Sequence, residues 1–412
     1  MDDYNIIKIF RSITNMSHFF IQRITSRRIF KRLICLLLLF VCFTINITYS
    51  ILGADPDVSA PSAILMEAST GRVIYEKDAD TKLRPASITK IMTLILIFDA
   101  LADGKITLDE TVTVSEHAAS MGGSQVFLEP GETQTVETMI KCISIASAND
   151  ACVAMAEHIC GSEGAFVDKM NERAAGLGMR NTHFVNCCGL DADGHETTAR
   201  DVAYMSRELI TKYPQIHDYS TIWMDTIIHS TRRGDSEFGL TNTNKLIRQY
   251  EWATGLKTGS TSLAGFCLSA TASKNDIDLI AVVMHSPTGK QRVADCISLL
   301  NYGYGIVSRY EDTMPPELPQ IKVKGGVKSD VSCSYSGNFS YIFMSSYDAE
   351  KISCHFELLA DTEAPVCEGD TLGMLVYEYN GTPIGSIDIV ASESIKKAGY
   401  IDYIRQLMSM FF

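Results

Sequence analysis

The sequence predicts an α+β domain, in which an antiparallel sheet is flanked by helices, followed by a small C-terminal β-sandwich domain. Strand-like segments open and close residues 55–312 and helical segments lie between them, so the sheet joins both ends of this region. Residues 313–392 then form short alternating strands behind a proline-rich linker at residues 314–319. A hydrophobic fraction of 46% is typical of a chain that buries such cores.

Two strands and a buried helix open the first domain. Apolar residues 63–67 and 72–75 predict a hairpin with its turn at Gly71. Residues 88–101 are almost continuously apolar and follow Pro85. They predict a buried helix, because proline is tolerated in a first helical turn. The next predicted elements are all helical and cover residues 139–158 as a pair, 166–177 and 199–213.

After these helices the pattern changes to strands. Three strand-like segments predict an antiparallel meander, and a last helix follows it at residues 291–302. The three segments are residues 255–261, 264–273 and 277–285. In the second domain the clearest hairpin joins residues 371–379 to 383–390 through Asn380 and Gly381, a pair that suits positive φ.

The last predicted element is an amphipathic helix within residues 393–412. From Tyr400 onward, one helical face carries apolar side chains, namely Ile401, Ile404, Met408 and Phe411. The helix is too short to cross a bilayer. We favour an anchor that lies at the membrane interface, and the alternative is a terminal helix that docks on the protein itself.

Residues 1–54 are predicted to be a signal peptide or an N-terminal membrane segment. A basic stretch ending at Lys31 and Arg32 precedes an apolar run over residues 33–50. Cleavage after Ala54 releases the body, whereas an uncleaved run of about 18 apolar residues is near membrane-spanning length. Both alternatives predict an exported protein, at the outer face of the cytoplasmic membrane or in the cell wall.

Charge and cysteine usage exclude several classes of function. The net charge is −13, and residues 1–54 carry seven basic and two acidic side chains, so the remainder is strongly acidic. An acidic body argues against nucleic-acid binding. No Cys/His grouping has zinc-ligand spacing, so we expect no metal and no cofactor. Two of the twelve cysteines, Cys35 and Cys42, lie in the predicted leader. Most of the other ten are predicted to be buried free thiols, with Cys333 and Cys354 as a candidate pair.

The first chemical motif is Ser87-Ile88-Thr89-Lys90. Residues three apart share a helical face, so the Ser87 hydroxyl and the Lys90 amine are predicted to meet. A serine hydroxyl becomes a nucleophile when a base takes its proton. A lysine serves as that base only when its amine is uncharged, which apolar neighbours favour. The Ser87 N–H, unpaired in a first helical turn, is free to face an oxyanion.

Two later motifs supply polar groups for a peptide substrate. Ser147 and Asn149 lie in a polar segment between helices, where a second hydroxyl near Lys90 relays a proton and the amide binds Lys90 or the substrate backbone. Lys257-Thr258-Gly259 lies on a predicted strand. A cation and a hydroxyl there suit a terminal carboxylate, and glycine lets a backbone come close. Each motif alone is also common at ordinary helix starts, loops and strands.

The ordered set S-x-x-K, S-x-N and K-T-G is that of the penicillin-binding enzymes and serine β-lactamases. The surrounding sequence resembles the low-molecular-mass D-alanyl-D-alanine carboxypeptidases, with a resemblance that covers residues 58–412. The segments that carry it are residues 84–93, 147–151, 178–186, 189–191, 242–246 and 255–259. The small C-terminal β domain and the amphipathic tail match this family as well.

This resemblance implies a role for each matching residue. Ser87 is the acylated nucleophile, Lys90 its general base, and Ser147 with Asn149 the proton-relay and substrate-binding element. Lys257 and Thr258 are implied to bind the substrate carboxylate, and Gly259 lets the substrate backbone come close. Ser260 completes the oxyanion hole, and Arg292 supports carboxylate recognition. The implied partners are the peptidoglycan stem pentapeptide and β-lactams. The chain departs from the family at Cys187-Cys188, where a proline-containing pair is common.

Other functions remain alternatives to carboxypeptidase activity. An endopeptidase or transpeptidase uses the same serine and passes the acyl group elsewhere. A class A β-lactamase needs a Glu-x-x-x-Asn pattern after S-x-N, and none of the candidate glutamates has an asparagine four residues on: Glu157, Glu163, Glu172 and Glu196. A non-catalytic wall-binding scaffold is the alternative of another class, which the intact motifs argue against.

Overall fold

The structure, a computed structural model, describes residues 55–231 and 234–409 of the 412-residue chain, with side chains up to Ile404. The strands of the first part are β1 (Ser62–Glu67), β2 (Val73–Lys77), β3 (Thr111–Thr113), β4 (Thr133–Thr135), β5 (Met224–Thr231), β6 (Gly234–Thr241), β7 (Ala253–Thr261), β8 (Gly265–Lys274) and β9 (Ile277–Ser286). The α-helices are α1 (Lys90–Ala102), α2 (Glu116–Ala119), α3 (Val136–Ser144), α4 (Asn149–Cys160), α5 (Glu163–Gly176), α6 (Ala199–Lys212), α7 (His217–Ser220) and α8 (Gly289–Ile306). Short 3-10 segments cover Ala86–Thr89, Pro214–Ile216 and Lys245–Arg248.

Five strands form the central antiparallel sheet in the order β2-β1-β9-β8-β7. β1 pairs with β9 from Ser62 opposite Met284 to Glu67 opposite Leu279. The first and last strands of the domain are therefore neighbours, and the predicted α+β architecture is confirmed. β7 lies at the edge of the sheet, so one of its sides is free to face the segment that carries Ser87.

Alternate residues of β1 enter two different apolar cores, because successive side chains of a strand point to opposite faces. Ile64 and Met66 pack into the core that contains α1 and α3 to α6. Ala63 and Leu65 pack on the other face, against α8. All four side chains are fully buried. Helices on both faces thus fix the sheet, and with it the edge strand β7.

The second part is built from three small sheets. Its strands are β10 (Ser308–Glu311), β11 (Ile321–Lys324), β12 (Asp330–Val331), β13 (Cys333–Tyr335), β14 (Ser340–Phe343), β15 (Ile352–Leu358), β16 (Thr362–Glu363), β17 (Thr371–Tyr379) and β18 (Thr382–Ala391), and the last helix is α9 (Tyr400–Ser409). The sheets β13-β18-β17-β15 and β12-β11-β16 share an apolar cluster that includes Val323, Leu372 and Ile389. The predicted β-sandwich is confirmed, as is the hairpin turn at Asn380-Gly381, whose φ values are +53° and +74°.

The predicted pairing of Cys333 with Cys354 is wrong. β13 and β15 lie at opposite edges of the four-stranded sheet, with β18 and β17 between them. Neighbouring strands are about 4.8 Å apart, which places the two strands about 14 Å from each other, beyond the reach of a disulfide. All ten cysteines of the described residues are free thiols. Most of them are buried, as predicted.

Several other expectations differ from the structure or lie outside it. The β5–β6 hairpin was not expected from the sequence, because Gly234–Thr241 lacks alternating apolar residues. In the described part of the chain, no helix is long and apolar enough to cross a membrane. The predicted leader at residues 1–54 lies outside the described residues, as do the side chains of Met408 and Phe411. The domain limits 55–312 and 313–392 stay predictions.

Candidate active site

Ser87 lies in a tight turn that leads into the buried helix. It belongs to the 3-10 segment Ala86–Thr89, and α1 begins at Lys90. Side chains three residues apart lie above each other in a 3-10 helix, and Lys90 Nζ is 3.0 Å from Ser87 Oγ. The chain enters this turn through Ala86, whose φ of +48° is unusual for a residue other than glycine. The structure therefore brings the predicted serine and lysine together.

Lys90 is fully buried, with 0% of its surface exposed. Besides Ser87, its Nζ contacts Asn149 Oδ1 at 2.7 Å and the main-chain oxygen of Cys188 at 2.7 Å. Both of these oxygens accept hydrogen bonds and donate none. The two contacts fix the amine in front of the Ser87 hydroxyl.

Ser147 and Asn149 lie next to each other in the cleft but face different lysines. Ser147 lies between α3 and α4 with a φ of +61°, and its Oγ accepts from Lys257 Nζ at 2.9 Å. Asn149 opens α4, and its Nδ2 donates to Gly122 O at 2.7 Å. The predicted contact of the amide with Lys90 is present, whereas no hydrogen bond links Ser147 to Lys90 among the described residues.

Lys257 is the second buried lysine of the cleft, with 1% of its surface exposed. Its Nζ donates to Ser147 Oγ and, at 3.2 Å, to the main-chain oxygen of Thr258. Burial lowers the pKa of Lys257 well below its ordinary value. An anion that enters the cleft therefore meets a lysine whose protonated form it stabilises.

Gly259 allows the K-T-G strand to pack directly on the Ser87 turn. A Cβ atom at position 259 would lie 2.8 Å from Pro85 O, 2.9 Å from Ser87 N and 3.0 Å from Ile88 N. Real Cβ atoms do not approach main chain so closely, so this position requires glycine. The same contact shows that the Ser87 N–H lies beside β7, two residues along that strand from Lys257.

The remaining predicted site residues either lie on β7 or contact its main chain. Thr258 is buried, and its Oγ1 lies 2.7 Å from Thr243 Oγ1. Ser260 is exposed and follows Gly259. Arg292 Nη1 donates to Gly259 O at 3.0 Å and to Cys267 O at 3.2 Å. Arg292 thus contacts the main chain of β7 and β8.

Three contributors to the cleft were missed in the sequence. Cys188 acts through its main-chain oxygen, and no residue type signals that role. Gly189 has a φ of +88°, and a Cβ there would lie 1.9 Å from Ala86 O, so it supports the Ser87 turn through its small size. In the sequence, Thr243 belongs to the segment 242–246 that resembles the family, and nothing else distinguishes it. The 3-10 segment Lys245–Arg248 lies between Thr243 and β7, and the folded chain places the Thr243 hydroxyl beside Thr258.

A buried histidine supports the Ser87 segment from behind. His195 Nδ1 accepts from the Val185 N–H at 2.9 Å, so its Nε2–H donates to Thr89 Oγ1 at 2.8 Å. Burial and, to a smaller extent, the neighbouring His183 lower the pKa of His195 to about 4. The neutral ring thus links Val185, three residues before Cys188, to Thr89, the residue before Lys90.

Comparison with known proteins agrees with this geometry. Residues 51–288 match the family model described as D-alanyl-D-alanine carboxypeptidase, and residues 317–397 match the C-terminal domain of penicillin-binding protein 5. The chain is 42% identical over 354 residues to D-alanyl-D-alanine carboxypeptidase DacF of Bacillus subtilis, covering 85% of this chain and 89% of that protein.

Solved structures agree as well. Penicillin-binding protein 5 of Haemophilus influenzae has a TM-score of 0.66 at 28% identity, covering 84% of this chain and all of the other. The DD-transpeptidase of Streptomyces K15 has a TM-score of 0.58 at 28% identity, covering 61% of this chain and all of the other. From its motifs, its cleft and these matches, the chain belongs to the serine-type D-alanyl-D-alanine carboxypeptidase family.

Proposed function

We propose that the carboxypeptidase activity of this family is carried in the present chain by Ser87, Lys90 and Lys257. The supporting observation is that Ser87 Oγ lies 3.0 Å from the buried Lys90 Nζ while the strand of Lys257 packs on the Ser87 turn. Ser87 attacks the carbonyl of the penultimate D-alanine of a peptidoglycan stem pentapeptide and expels the terminal D-alanine. Water then hydrolyses the acyl-enzyme. This route needs no metal and no cofactor.

The contacts of Lys90 suit a general base. An uncharged amine has two N–H donors and one lone pair. Asn149 Oδ1 and Cys188 O take the two donors, at 2.7 Å each, which directs the lone pair to the Ser87 hydroxyl. Ser147 is the group that returns a proton to the leaving amine, because its hydroxyl lies in the same cleft and its Oγ accepts from Lys257 Nζ at 2.9 Å.

Lys257 and Thr258 suit the carboxylate at the end of the stem peptide. A protonated lysine has three N–H donors, and two of those of Lys257 are used by Ser147 and the Thr258 main chain. The third donor and the Thr258 hydroxyl are left for the substrate. The N–H groups of Ser87 and Ser260 form the oxyanion hole. Arg292 is a positioning residue, because its guanidinium contacts the carbonyl of Gly259.

Labelling with a fluorescent penicillin tests the acyl-enzyme. A β-lactam is a strained amide that acylates the same serine, so the wild-type protein becomes fluorescent on a denaturing gel and Ser87→Ala does not. An unlabelled wild-type protein with a normal unfolding transition contradicts the proposal and favours a non-catalytic scaffold. Rapid turnover of the penicillin favours a β-lactamase.

A defined pentapeptide then identifies the reaction. Release of free D-alanine into water, absent in Ser87→Ala, is the expected result. Transpeptidation is the second candidate, since the same fold carries the name DD-transpeptidase in Streptomyces K15. Addition of a D-amino acid or a second stem peptide as acceptor distinguishes the two. Exchange of the terminal residue faster than hydrolysis makes transfer, and not hydrolysis, the main activity.

We infer that α9 lies on a membrane surface. Its first turn exposes large side chains, with Tyr400 82%, Ile401 66% and Ile404 41% exposed, and Ile401 and Ile404 share a helical face. Substrate in the cell wall requires export, which the predicted leader at residues 1–54 supplies. Co-sedimentation with phospholipid vesicles, lost when the chain ends at Gly399, is the expected result. Equal sedimentation of both forms contradicts the anchor.

A further inference from the structure

A carboxylate and two adjacent thiols form a compact group beside the cleft. Glu163 opens α5, and Cys187 and Cys188 lie in the segment between α5 and α6. One ligand atom from each of the three side chains lies within 4.8 Å of the other two. The cysteines are buried, with 0% and 1% of their surface exposed, whereas 19% of the Glu163 side chain is exposed. The two thiols are therefore shielded from solvent, and a solvent ion would reach the group from the side of Glu163.

This set of atoms has the chemistry of a site for a thiophilic divalent cation. Zn²⁺ binds thiolate sulfur at about 2.3 Å and carboxylate oxygen at about 2.0–2.2 Å, so tetrahedral ligands lie within about 4 Å of one another. Atoms that now lie within 4.8 Å of one another reach that spacing by an approach of up to about 1 Å, shared between the side chains and the Cys188 segment. His117 Nε2 lies 3.2 Å from Glu163 Oε2 and holds the carboxylate from the solvent side, an arrangement usual for zinc ligands.

We propose that Glu163, Cys187 and Cys188 bind Zn²⁺, and that the bound ion slows acylation of Ser87. Each protonated thiol loses its proton to solvent as its sulfur binds the ion. The fourth position of the tetrahedron is left for water or for His117. The regulatory part rests on the proposed role of Lys90, while the binding part stands without it.

A disulfide between the two thiols fits the structure less well than a shared ion. The carbonyls of both cysteines are held, Cys187 O by Thr93 Oγ1 at 2.5 Å and Cys188 O by Lys90 Nζ at 2.7 Å. A bond of about 2.05 Å between adjacent cysteines distorts the peptide that joins them. A cation tolerates a longer sulfur–sulfur distance and therefore distorts the main chain of the two cysteines less than a disulfide does.

The effect on the cleft follows from the same carbonyl. Cys188 O is one of the two acceptors that orient the Lys90 amine. An ion that draws the Cys188 side chain toward Glu163 shifts this acceptor, and a displacement of about 1 Å at a catalytic group is able to cost about 100-fold in rate. Binding of a cation outside the cleft thus changes the orientation of the Lys90 amine inside it.

The binding test uses the full chain freed of metal by a chelator. Zn²⁺ is titrated against a chromophoric chelator, and Cd²⁺ is titrated while the cadmium–thiolate ultraviolet absorption is recorded. One tight equivalent is expected in the wild type and in Cys160→Ser, which removes a half-buried thiol outside the group. Cys188→Ser is expected to lose that equivalent. Glu163→Gln is expected to bind at least about tenfold more weakly.

Glu163→Gln keeps the proposal testable if a cysteine variant does not fold. Its amide oxygen still accepts the Cys187 N–H bond, which is 3.1 Å long in the wild type, so the change removes charge and preserves the main-chain contact. Equal zinc affinity in the wild type and Glu163→Gln, or in a folded Cys188→Ser, assigns the ion to exposed thiols such as Cys354 and Cys367 and overturns the site.

The regulatory test measures acylation by fluorescent penicillin with and without Zn²⁺. The wild type and Cys160→Ser are expected to slow at least about tenfold, and Glu163→Gln to be unaffected at the same concentration. Tight zinc binding with unchanged acylation overturns the regulatory part alone. Absence of acylation in the zinc-free protein contradicts the proposed function instead, so the two failures are distinguishable.

Discussion

Two buried lysines lie in the same cleft, and the surroundings of Lys90 and Lys257 differ in one respect. Neither has a carboxylate within salt-bridge distance among the described residues, and each is at most 1% exposed. Lys90 contacts three oxygen atoms, whereas Lys257 contacts two. The first amine is completely surrounded by partners within the protein, and the second keeps a donor for a ligand. In the proposed function, the same residue type has two roles, which we attribute to the number of acceptors around each amine.

The largest expected effect comes from Lys90→Gln. Loss of the base leaves the Ser87 hydroxyl without a proton acceptor, and general-base catalysis is worth about 10²–10⁴-fold. We expect the second-order rate of acylation by fluorescent penicillin to fall about 10³-fold. Lys82→Gln, which changes an exposed lysine on the preceding segment, is the matched control. Acylation of Lys90→Gln within tenfold of the wild type contradicts the assignment of the two roles.

Lys257→Gln is expected to act on substrate recognition with a smaller effect. A hydrogen bond to a charged group is worth about 1.5–3 kcal/mol, so kcat/KM for a pentapeptide falls up to about 100-fold. The same peptide with a C-terminal carboxamide lacks the charge that Lys257 binds, and its kcat/KM changes little. A similar loss with both peptides shows that Lys257 has a structural role in the cleft and does not bind the carboxylate.

The pH dependence of KM sharpens the comparison further. Because burial lowers the pKa of Lys257, its ammonium form is lost at a lower pH than that of an exposed lysine. The charged form binds the carboxylate, so KM for the pentapeptide is expected to rise as pH rises through that pKa, by about tenfold per pH unit above it. The carboxamide peptide is the control. A KM that is flat for the first peptide, or that rises equally for both, assigns the titration to another group.

The sequence predicts the pairing of Ser87 with Lys90 better than it predicts the main-chain groups that surround Lys90. Ser87 and Lys90 are three residues apart, and local helical geometry alone brings them within 3.0 Å. Lys257 was located by the K-T-G pattern and by its predicted strand. The acceptor Cys188 O was not predictable, because a main-chain carbonyl leaves no trace in residue type and a turn with Gly189 at positive φ decides where it points.

Non-local strand order explains the failed prediction in the second domain. The residues of β13 and β15 both read as strands, and that local property was predicted. Which strands lie side by side depends on how β17 and β18 insert between them, which the pattern of alternate residues does not encode. The first domain was less ambiguous, since helices between strands restrict the possible order of the sheet.

The smallest expected effect is that of Thr243→Val, which tests whether the Lys257 side is positioned by neutral hydrogen bonds. The Thr243 and Thr258 hydroxyls lie 2.7 Å apart, and a hydrogen bond of this kind contributes about 0.5–1.5 kcal/mol. The valine keeps the volume but frees the Thr258 hydroxyl to rotate away from the substrate. We therefore expect kcat/KM for the pentapeptide to fall about fivefold, with the acylation rate of Ser87 by penicillin reduced by no more than that factor.

The same strand offers the matched control for Thr243→Val. Thr254 Oγ1 lies 2.9 Å from Thr271 Oγ1, so Thr254→Val removes a comparable threonine pair at the opposite end of β7. Both variants are expected to lose a similar free energy of unfolding, measured by urea denaturation, and only Thr243→Val to lose kcat/KM. Equal activity losses would mean that β7 responds as a whole to any lost bond. The role of Lys257 would then depend on the integrity of the whole strand β7, and not on the number of acceptors around its amine.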